Sequence, residues 1–545
     1  MQNIVILGAG LMQKPAILSA KELGFHTIVV DADKNAVSIP LAHEFFQIDL
    51  KDKEGILALC QKLKASPMGL AGVFTAGTDF SASVSYVCEK LGLAAHSYQA
   101  ALNASIKTQM RQCFEEKGVP SPKFIRAGKD QINGELFTRA GSLMKLPFVV
   151  KPVDNMGARG CRMVRSQEEF LPAVKIAAEC SRSGNAIIEE YMDGPEYSID
   201  ALIYNGKFIV TGFAVRHIKY EPYFIEIGHT MPALLDQKSH DELISVFALG
   251  AWAEGLTCGA AKADIKYTAR GPMIGEIAGR LSGGYMSGWT YPYASDLNLT
   301  KQALLIASGQ EPVELLKRAQ KVEYRPSEEC KNLAAPYELY EVPCIRTSAE
   351  RAWMSIPGTV KYIENIEDYT DRAVFDILPR ATVSIGSQVD FPRNNVEKCG
   401  NIIAVSQDRE IAIQAAQAAV SNTFITLEPC NPKTDEYLDY YEESDEEKFP
   451  PSAFGKLAQV LLDEIISPIP ADSKISEQIP DFLKKPEYKK LLDWNYNTIE
   501  ETAVKFDLLR PKHPPFEAAK FWNALMRGGI QGAVYYSDTC SRKQK

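Results

Sequence analysis

Residues Lys262 to Gly284 read KADIKYTARGPMIGEIAGRLSGG. Two runs of alternating residues flank Ala269-Arg270-Gly271, and a glycine at the last position of a three-residue loop is typical of a β-hairpin. With Thr268 opposite Pro272, this loop fixes which residues of the two strands face each other. The stretch therefore predicts a hairpin with a defined register.

One face of the predicted hairpin is charged and the other is apolar. The register places Asp264 directly opposite Glu276. Two carboxylates whose Cβ atoms lie about 5 Å apart repel each other unless a cation lies between them. Oxygen ligands at an open cleft suit Mg2+, so that one interpretation of the pair is a magnesium site. The alternative is a solvated hairpin with alternating charges. The predicted charged face comprises Lys262, Asp264, Lys266, Ile274, Glu276, Ala278 and Arg280, and the predicted core face comprises Ala261, Ala263, Ile265, Tyr267, Met273 and Ile277.

Length and composition limit the class of protein. A chain of 545 residues is too long for one hydrophobic core. Its net charge of -9, without a basic stripe, argues against nucleic acid as a partner. Eleven cysteines without a C-x-x-C pair, no signal peptide and no apolar run of membrane length indicate a reduced cytoplasmic protein with no membrane partner.

The N-terminal segment predicts an open parallel sheet that ends near residue 100. Residues 3 to 7 form an apolar strand, Gly8-Ala9-Gly10 forms a turn, and a helix leads to a second strand that ends at Asp31. A dinucleotide fingerprint needs a third glycine where Gln13 stands. The sequence therefore disfavours an NAD-dependent oxidoreductase, although Asp31 is suitably placed for a ribose.

Two lysines occupy positions that suit an anion. Lys107 lies in the first turn of a predicted helix that ends at Gly118, where a cation does not help the helix dipole. Lys151 ends an apolar strand and precedes the loop from Asp154 to Gly160. Such a loop lets backbone N–H groups approach phosphates while the lysine supplies charge; a plain hairpin is the alternative.

The order of these elements resembles the ATP-grasp superfamily, across about residues 1–310. The similarity is to its carboxylate-amine ligase branch, which includes bacterial L-amino acid ligases, and to biotin carboxylase-like enzymes. The matching elements, in order, are Lys107, Lys151, the hinge Glu189-Glu190-Tyr191-Met192, the segment Gly194-Pro195-Glu196, and the Asp264/Glu276/Arg280 hairpin.

The resemblance implies that ATP and Mg2+ are the cofactors and assigns a role to each matching position. The residues that would bind ATP are Lys107 and Lys151 at the phosphates, Gly157 and Gly160 in the covering loop, Glu189 with the backbone of Glu190, Tyr191 and Met192 at the adenine, and Glu196 at the ribose. The residues that would serve the reaction are Asp264 and Glu276 as Mg2+ ligands, and Arg280, helped by Lys262, at the transferred phosphoryl group.

The chain departs from the family pattern at two positions. Ala278 stands where the family usually has asparagine, so one metal ligand is missing and the number of Mg2+ ions stays open. Lys262 stands where relatives often have histidine or arginine, and a solvated lysine is its alternative role. Relatives of the ligase branch place substrate contacts in segments such as Arg216-His217 and 228–232.

The predicted fold is α/β and α+β multidomain, with helical spacing at Phe454 to Ile466 and Phe516 to Met526 near the end of the chain. Trp494 and Trp522 are expected to pack in a core. The predicted domains are 1–103, an open α/β domain; 104–320, an ATP-grasp module with a small β-lid at about 123–192 and a metal domain at about 193–320; 330–430, a β-rich C-terminal lobe; 431–451, an acidic linker; and 452–545, a helical appendage that ends in the basic tail 542–545.

The resemblance implies an ATP-dependent ligase that joins a carboxylate to an amine through an acyl phosphate and releases ADP and phosphate. Its partners would then be a small-molecule carboxylate and amine, and a homo-oligomer is compatible with the sequence. One alternative is a ligase that uses another nucleophile. Another is an ATP-binding protein without turnover, which Ala278 and the appendage motivate.

Overall fold

The structure is a computed structural model that describes residues 1–365, 374–439, 449–455, 465 and 467–543. Residues 440–448 of the predicted acidic linker, most of the predicted helix Phe454 to Ile466 and the last two residues of the basic tail lie outside this description. None of the helices in the described ranges has the length and apolar character that a membrane span requires. The chain folds into two compact units, the first formed by 1–217, 229–348 and 407–409 and the second by 218–228, 349–406 and 410–545.

The first unit begins with a four-stranded parallel sheet, which confirms the predicted open sheet. Its strand order is β3-β2-β1-β4. The first strand is buried along its whole length, as expected for a parallel strand covered on both faces. The elements are β1 (Asn3–Leu7), α1 (Lys14–Glu22), β2 (His26–Asp31), β3 (Glu44–Gln47), α2 (Lys53–Ala65), β4 (Leu70–Phe74), α3 (Ser81–Leu91) and α4 (Tyr98–Asn103).

The glycine turn after β1 is filled by the protein's own side chains. A Cβ added at Gly8 would lie 3.0 Å from the Gln13 side chain, whose amide donates to the Ala76 carbonyl at 2.5 Å. The backbone N–H of Ala9 donates to Asp31 at 2.8 Å. Gln13 and Asp31 therefore stabilise the turn.

A small antiparallel sheet follows, with the strand order β5-β8-β6-β7. Phe148, Phe170 and Ile188 belong to its hydrophobic core, which the helices α6 and α7 complete. The elements are α5 (Lys107–Lys117), β5 (Phe124–Ala127), α6 (Gly134–Leu143), β6 (Phe148–Pro152), β7 (Arg162–Val164), α7 (Gln167–Cys180) and β8 (Ala186–Glu190).

A larger sheet in the first unit has the order β13-β12-β9-β10-β15-β14. Helices α5 and α8 cover one face, where Phe114, Phe247 and Ile265 share a core. The remaining elements as far as residue 341 are β9 (Glu196–Tyr204), β10 (Lys207–Lys219), β11 (Ile225–Met231), α8 (Gln237–Glu254), β12 (Gly259–Thr268), β13 (Gly271–Ala278), α9 (Tyr291–Ser295), α10 (Leu299–Ala307), α11 (Val313–Arg318), β14 (Gln320–Lys321) and β15 (Glu338–Glu341).

The β12–β13 hairpin closes with a shorter loop than predicted. Thr268 pairs with Gly271, so the loop contains two residues, and the predicted register at the turn was wrong. A β-bulge at Gly275 then adds one residue to β13 and places Asp264 opposite Glu276, as predicted. Turn and bulge together preserve the pairing of the two carboxylates.

Because of the bulge, the predicted faces of Met273 and Ile274 were wrong. Between the turn and the bulge, Ile274 pairs with Ile265, and both side chains lie in the hydrophobic core. Met273 pairs with Lys266 and so shares the charged face. The prediction exchanged Ile274 and Met273 because one extra residue reverses the alternation of a strand.

The second unit contains antiparallel strands and helices. Strand β18 pairs with β20, and β17 pairs with both β19 and β21. Trp494 and Trp522 are buried in one core, as predicted. The elements that complete the described chain are β16 (Thr347–Trp353), β17 (Gly358–Asn365), β18 (Val374–Ala381), β19 (Gln388–Val389), β20 (Gly400–Ser406), α12 (Arg409–Asn422), β21 (Thr423–Leu427), α13 (Pro432–Leu438), α14 (Pro486–Lys489), α15 (Ile499–Leu509) and α16 (Ala518–Lys543), the last interrupted at Gly529.

Candidate functional site

The two candidate metal ligands lie next to each other on the β12–β13 hairpin. Asp264 faces Glu276 across the ladder and Ser198 of β9 on its other side. The Ser198 hydroxyl donates to Asp264 Oδ1 at 2.9 Å. These oxygen donors fit Mg2+, which binds proteins through one or two carboxylates and keeps its remaining positions for water and phosphate. Ala278, which pairs with Lys262, adds no ligand atom.

Cationic side chains lie directly against Asp264. Arg216 Nη1 is 2.9 Å from Asp264 Oδ2, and the Lys262 ammonium contacts the same oxygen. Arg216 Nη1 is also 2.5 Å from Glu196 Oε1, and Lys266 Nζ is 3.8 Å from the second Glu196 oxygen. The charged face of the sheet therefore alternates carboxylates with cations.

Lys107 connects helix α5 to both the loop at 154–160 and the β12–β13 hairpin. It is the first residue of α5, and its side chain is almost completely buried. Its ammonium donates to the Asn155 carbonyl at 2.9 Å and lies 3.4 Å from Glu276 Oε2. The predicted position of this lysine in a first helical turn is confirmed, and the turn directs it to a candidate metal ligand.

Lys151 lies in a buried ion-pair network that the sequence analysis missed in part. Its ammonium is 2.6 Å from Glu189 Oε2, and Arg111 Nε is 2.9 Å from Glu189 Oε1. Burial alone would raise the pKa of Glu189, but Arg111 and Lys151 lower it to about 2. Arg111 also donates to the Gly275 carbonyl at 2.5 Å. The sequence carries one signal for Arg111: it follows Lys107 by one helical turn and therefore lies on the same side of helix α5.

The loop after Lys151 is anchored at its base and has glycine-dependent turns. Asp154 accepts hydrogen bonds from the Ser181 hydroxyl at 2.7 Å and from the backbone of Ser183 at 2.9 Å. Gly157 and Gly160 have φ values of +70° and +69°. A Cβ at Gly160 would lie 2.8 Å from the Cys180 Cβ. Positive φ favours glycine at both positions, and the close Cys180 side chain leaves little room for a Cβ at Gly160.

The hinge after β8 faces Lys266. The Lys266 ammonium donates to the Met192 carbonyl at 3.1 Å and lies 5.1 Å from the centre of the Tyr191 ring. The backbone N–H of Glu190 donates to the Lys123 carbonyl, which ties the hinge to the small sheet. Glu196, at the start of β9, follows directly. The hinge thereby connects the small sheet to the charged face of the larger one.

Arg280 follows β13 and pairs with an aspartate that the sequence analysis did not identify. Its Nη2 is 3.0 Å from Asp79 Oδ1. Burial lowers the pKa of Arg280, but Asp79 and, to a smaller extent, Glu276 outweigh burial and leave this pKa above its usual value. Asp79 lies in the loop after β4, and polar residues at the carboxyl end of a parallel strand are a general signal for a site. Arg280 is thus held by Asp79 with its charge retained.

The glycine-containing loop after Arg280 binds a carboxylate of the protein itself. The backbone and hydroxyl of Ser282 donate to Asp200 Oδ2 at 3.0 and 2.8 Å. Burial raises the pKa of Asp200 to about 6, against the lowering effect of these bonds and of Lys262. Asp200 pairs with Lys262 across β9 and β12, so it lies beside one of the cations that approach Asp264.

The arrangement suits a polyphosphate with a divalent cation. Side chains of both signs lie close together, and most are partly buried, so that their interactions are weakly screened. The cations are Lys107, Lys151, Arg216, Lys262, Lys266 and Arg280, and the carboxylates are Asp79, Glu189, Glu196, Asp264 and Glu276.

Comparisons with known proteins support the resemblance to the ATP-grasp fold. A model of the ATP-grasp domain matches residues 144–288, and a model of the L-amino acid ligase C-terminal domain 2 matches residues 352–428. Carnosine synthase 1 of Homo sapiens is 25% identical over 333 residues, which cover 57% of this chain and 40% of that protein. The chain therefore spans less than half the length of this relative.

Two solved structures share most of the fold. The L-amino acid ligase from Bacillus licheniformis has a TM-score of 0.62 and 18% identity, covering 78% of this chain and 99% of that chain. The biotin carboxylase domain of the Hydrogenobacter thermophilus 2-oxoglutarate carboxylase, in complex with MgADP, ADP and bicarbonate, has a TM-score of 0.57 and 17% identity, covering 78% and 91%. The predicted ATP-grasp fold is confirmed. Residues 144–288 are an ATP-grasp domain, and residues 352–428 match the L-amino acid ligase C-terminal domain 2.

Proposed function

We propose that this protein is an ATP-dependent ligase that joins a carboxylate to an amine through an acyl phosphate. The observation that carries the proposal is the facing pair Asp264 and Glu276, of which Glu276 lies 3.4 Å from Lys107 and Asp264 contacts Lys262. Carboxylates paired in this way with cations match the charges of a nucleoside triphosphate and its metal ion.

The proposed chemistry has two steps. The substrate carboxylate attacks the γ-phosphorus of ATP, the bond to the β-phosphate breaks, and ADP leaves with that electron pair. The amine then attacks the acyl carbon, phosphate leaves, and the amine gives its proton to solvent. Both steps depend on positioning and charge neutralisation rather than on a protein nucleophile.

The residues that would hold the nucleotide follow the order of the chain. Lys107 and Lys151 would contact phosphates, beneath the loop that carries Gly157 and Gly160. The backbone of residues 190–192 would bind the adenine edge, and Glu196 the ribose. Glu189 remains a candidate for the adenine and, through its contact with Lys151, also orients that lysine.

The residues that would serve the transferred group lie on the hairpin. Asp264 and Glu276 would hold Mg2+, which supplies Lewis-acid stabilisation to the phosphates when bound. Arg280, held by Asp79, would meet the phosphoryl group, and Lys262 would add a second charge. Exclusion of water protects an acyl phosphate from hydrolysis, and the loop at 154–160 is the candidate cover.

The experiment is phosphate release from ATP and Mg2+ over a panel of amino acids, other small carboxylates and their pairs. Release that needs a particular pair, with a product mass equal to their sum less water, is the expected result. Carnosine synthase and L-amino acid ligase among the similar proteins make amino acids the first substrates to try.

One observation favours a second candidate, a protein that binds ATP without turnover. Ala278 provides no ligand at a position next to Glu276, and its Cβ cannot coordinate a second metal ion. In this case ATP binds in calorimetry but no pair releases phosphate. Ala278→Asn would then be expected to create phosphate release, whereas in an active ligase it changes an existing rate.

A further inference from the structure

The two candidate metal ligands are already in contact with cations of the protein. Asp264 Oδ2 lies 2.9 Å from Arg216 Nη1 and contacts the Lys262 ammonium, while Glu276 Oε2 lies 3.4 Å from Lys107. Asp264 Oδ1 accepts the Ser198 hydroxyl. A metal ion at Asp264 would therefore have to compete with two positive side chains for the same oxygen.

These cations are held in place and are not loosely attached. The side chains of Arg216 and Lys262 are 15% and 13% exposed, and that of Asp264 is 12% exposed. Arg216 is additionally bound by Glu196, which keeps the guanidinium between the two carboxylates. Low exposure weakens solvent screening, so that the positive charges of Arg216 and Lys262 strongly disfavour a metal cation at Asp264.

We propose that Arg216 and Lys262 exclude a free divalent cation from Asp264, and that the metal binds there only together with a polyphosphate that engages these two side chains. The inference rests on the proposed function in taking Asp264 as a metal ligand. Its consequence is strong coupling: polyphosphate raises metal affinity, and the metal raises polyphosphate affinity by the same factor. The negative polyphosphate neutralises the side-chain cations that repel the metal, and the metal neutralises the carboxylates that repel the polyphosphate.

Metal binding without turnover tests this directly. Mn2+ alone is titrated into the full chain, and bound Mn2+ is measured by electron paramagnetic resonance. Wild type is expected to bind Mn2+ weakly, and Arg216→Met and Lys262→Met to bind it about tenfold more tightly, because each removes one positive charge beside Asp264. The control is Lys207→Met. Lys207 is a partly exposed lysine of β10, the strand that carries Arg216, and it pairs with Glu338. This variant is expected to match wild type.

Two further variants identify the site of the gained affinity, and a sample with tripolyphosphate tests the coupling. Arg216→Met/Asp264→Asn is expected to lose the gain, and Arg216→Lys, which keeps the charge, is expected to show none. With tripolyphosphate present, wild type is expected to bind Mn2+ at least as tightly as Arg216→Met binds Mn2+ alone. Lys262→Met provides an independent result if Arg216→Met does not fold.

The proposal is overturned if wild type binds Mn2+ alone as tightly as both methionine variants, if Lys207→Met gains as much, or if the gain survives Asp264→Asn. These results are distinct from failure of the ligase function. A protein that shows the coupled metal binding but releases no phosphate on any substrate pair keeps the exclusion of free metal and loses the ligase assignment.

Discussion

Arg111 joins two parts of the candidate site that are far apart in sequence. Its side chain is completely buried, its Nε contacts Glu189, and its Nη2 donates to the carbonyl of Gly275. It therefore ties the strand that carries Glu189 to the bulge that places Asp264 opposite Glu276. Both contacts are with other parts of the protein, and we therefore expect Arg111 to position other residues.

Arg111→Met is expected to lower the free energy of unfolding by about 3–5 kcal/mol, because it leaves the buried Glu189 with one cation fewer. The measurement is urea denaturation followed by circular dichroism. The control Lys331→Met removes an exposed ion pair with Glu328 and should change the free energy by about 0.5 kcal/mol or less. A loss below about 1 kcal/mol in Arg111→Met would contradict the proposed importance of the network.

Glu276→Gln is expected to reduce phosphate release about a hundredfold or more, because one of two candidate metal carboxylates loses its charge. ATP binding, measured by calorimetry, should weaken much less, since the lysines and the hinge remain. Glu338→Gln alters an exposed carboxylate of the same sheet and serves as the control. Near-normal turnover in Glu276→Gln would remove the hairpin from its assigned role.

The contact that was predicted joins residues close together in the sequence, whereas the contacts that were missed join residues far apart in the sequence. Asp264 and Glu276 belong to one hairpin, so that their pairing could be predicted from local sequence, although the predicted turn was one residue too long. The contact of Arg111 with Glu189 spans 78 residues, and that of Arg280 with Asp79 spans 201. Periodicity carries no information on such contacts, because they depend on how separate sheets and helices pack.

At the scale of elements, the hairpin shows how a correct pairing can come from a wrong local prediction. The sequence indicated a three-residue loop, whereas Thr268 pairs with Gly271 across a two-residue loop. The bulge at Gly275 compensates for that difference near Asp264 but not at Ile274. A bulge has no reliable signal in one sequence beyond a glycine in a strand, and Gly275 is such a glycine.

The loop at 154–160 should be sensitive to the loss of Gly160. Gly160→Ala is expected to destabilise the fold by about 1–2 kcal/mol, because alanine disfavours positive φ, and also to weaken ATP binding. The added Cβ would meet Cys180 at 2.8 Å. Gly92→Ala is a matched control, since Gly92 has φ +65° but nothing within 4 Å of its Cβ position.

Thermal unfolding with and without ATP separates the two costs at Gly160. Gly92→Ala should lose stability from its backbone alone and keep the stabilisation that ATP provides. Gly160→Ala should lose part of that stabilisation. An equal ATP-dependent shift in both variants would mean that the loop has no part in nucleotide binding.

Helix α8 is linked to β15 by a histidine whose charge should affect stability. Burial disfavours the charged form of His240, but hydrogen bonds to Glu341 at 3.0 Å and Asp241 at 3.2 Å leave its pKa above the usual value. Because the folded pKa is the higher one, this stabilisation is complete below about pH 6.5 and is lost as the pH rises through the folded pKa.

His240→Gln is therefore expected to destabilise the protein more at about pH 5.5 than at about pH 9. The measurement is the free energy of unfolding in urea at both pH values. Glu341→Gln removes the closer partner and should reduce the same pH dependence. A loss in His240→Gln that is equal at both pH values would exclude a charged His240 as its cause.

At the scale of the whole molecule, all the candidate site residues lie in the first unit, whereas the match to the L-amino acid ligase C-terminal domain lies in the range 352–428. The order of lysines, hinge and hairpin was enough to predict the ATP-grasp fold. Substrate identity was not predictable, because pocket shape depends on side chains from segments that no local pattern connects.

The most direct test of the ligase proposal is phosphate release from ATP and Mg2+ over pairs of carboxylates and amines, with product masses measured in the same samples. The account predicts release that requires one particular pair and a product mass equal to the sum of that pair less water. ATP binding by calorimetry, with no release and no new mass for any pair, would contradict it.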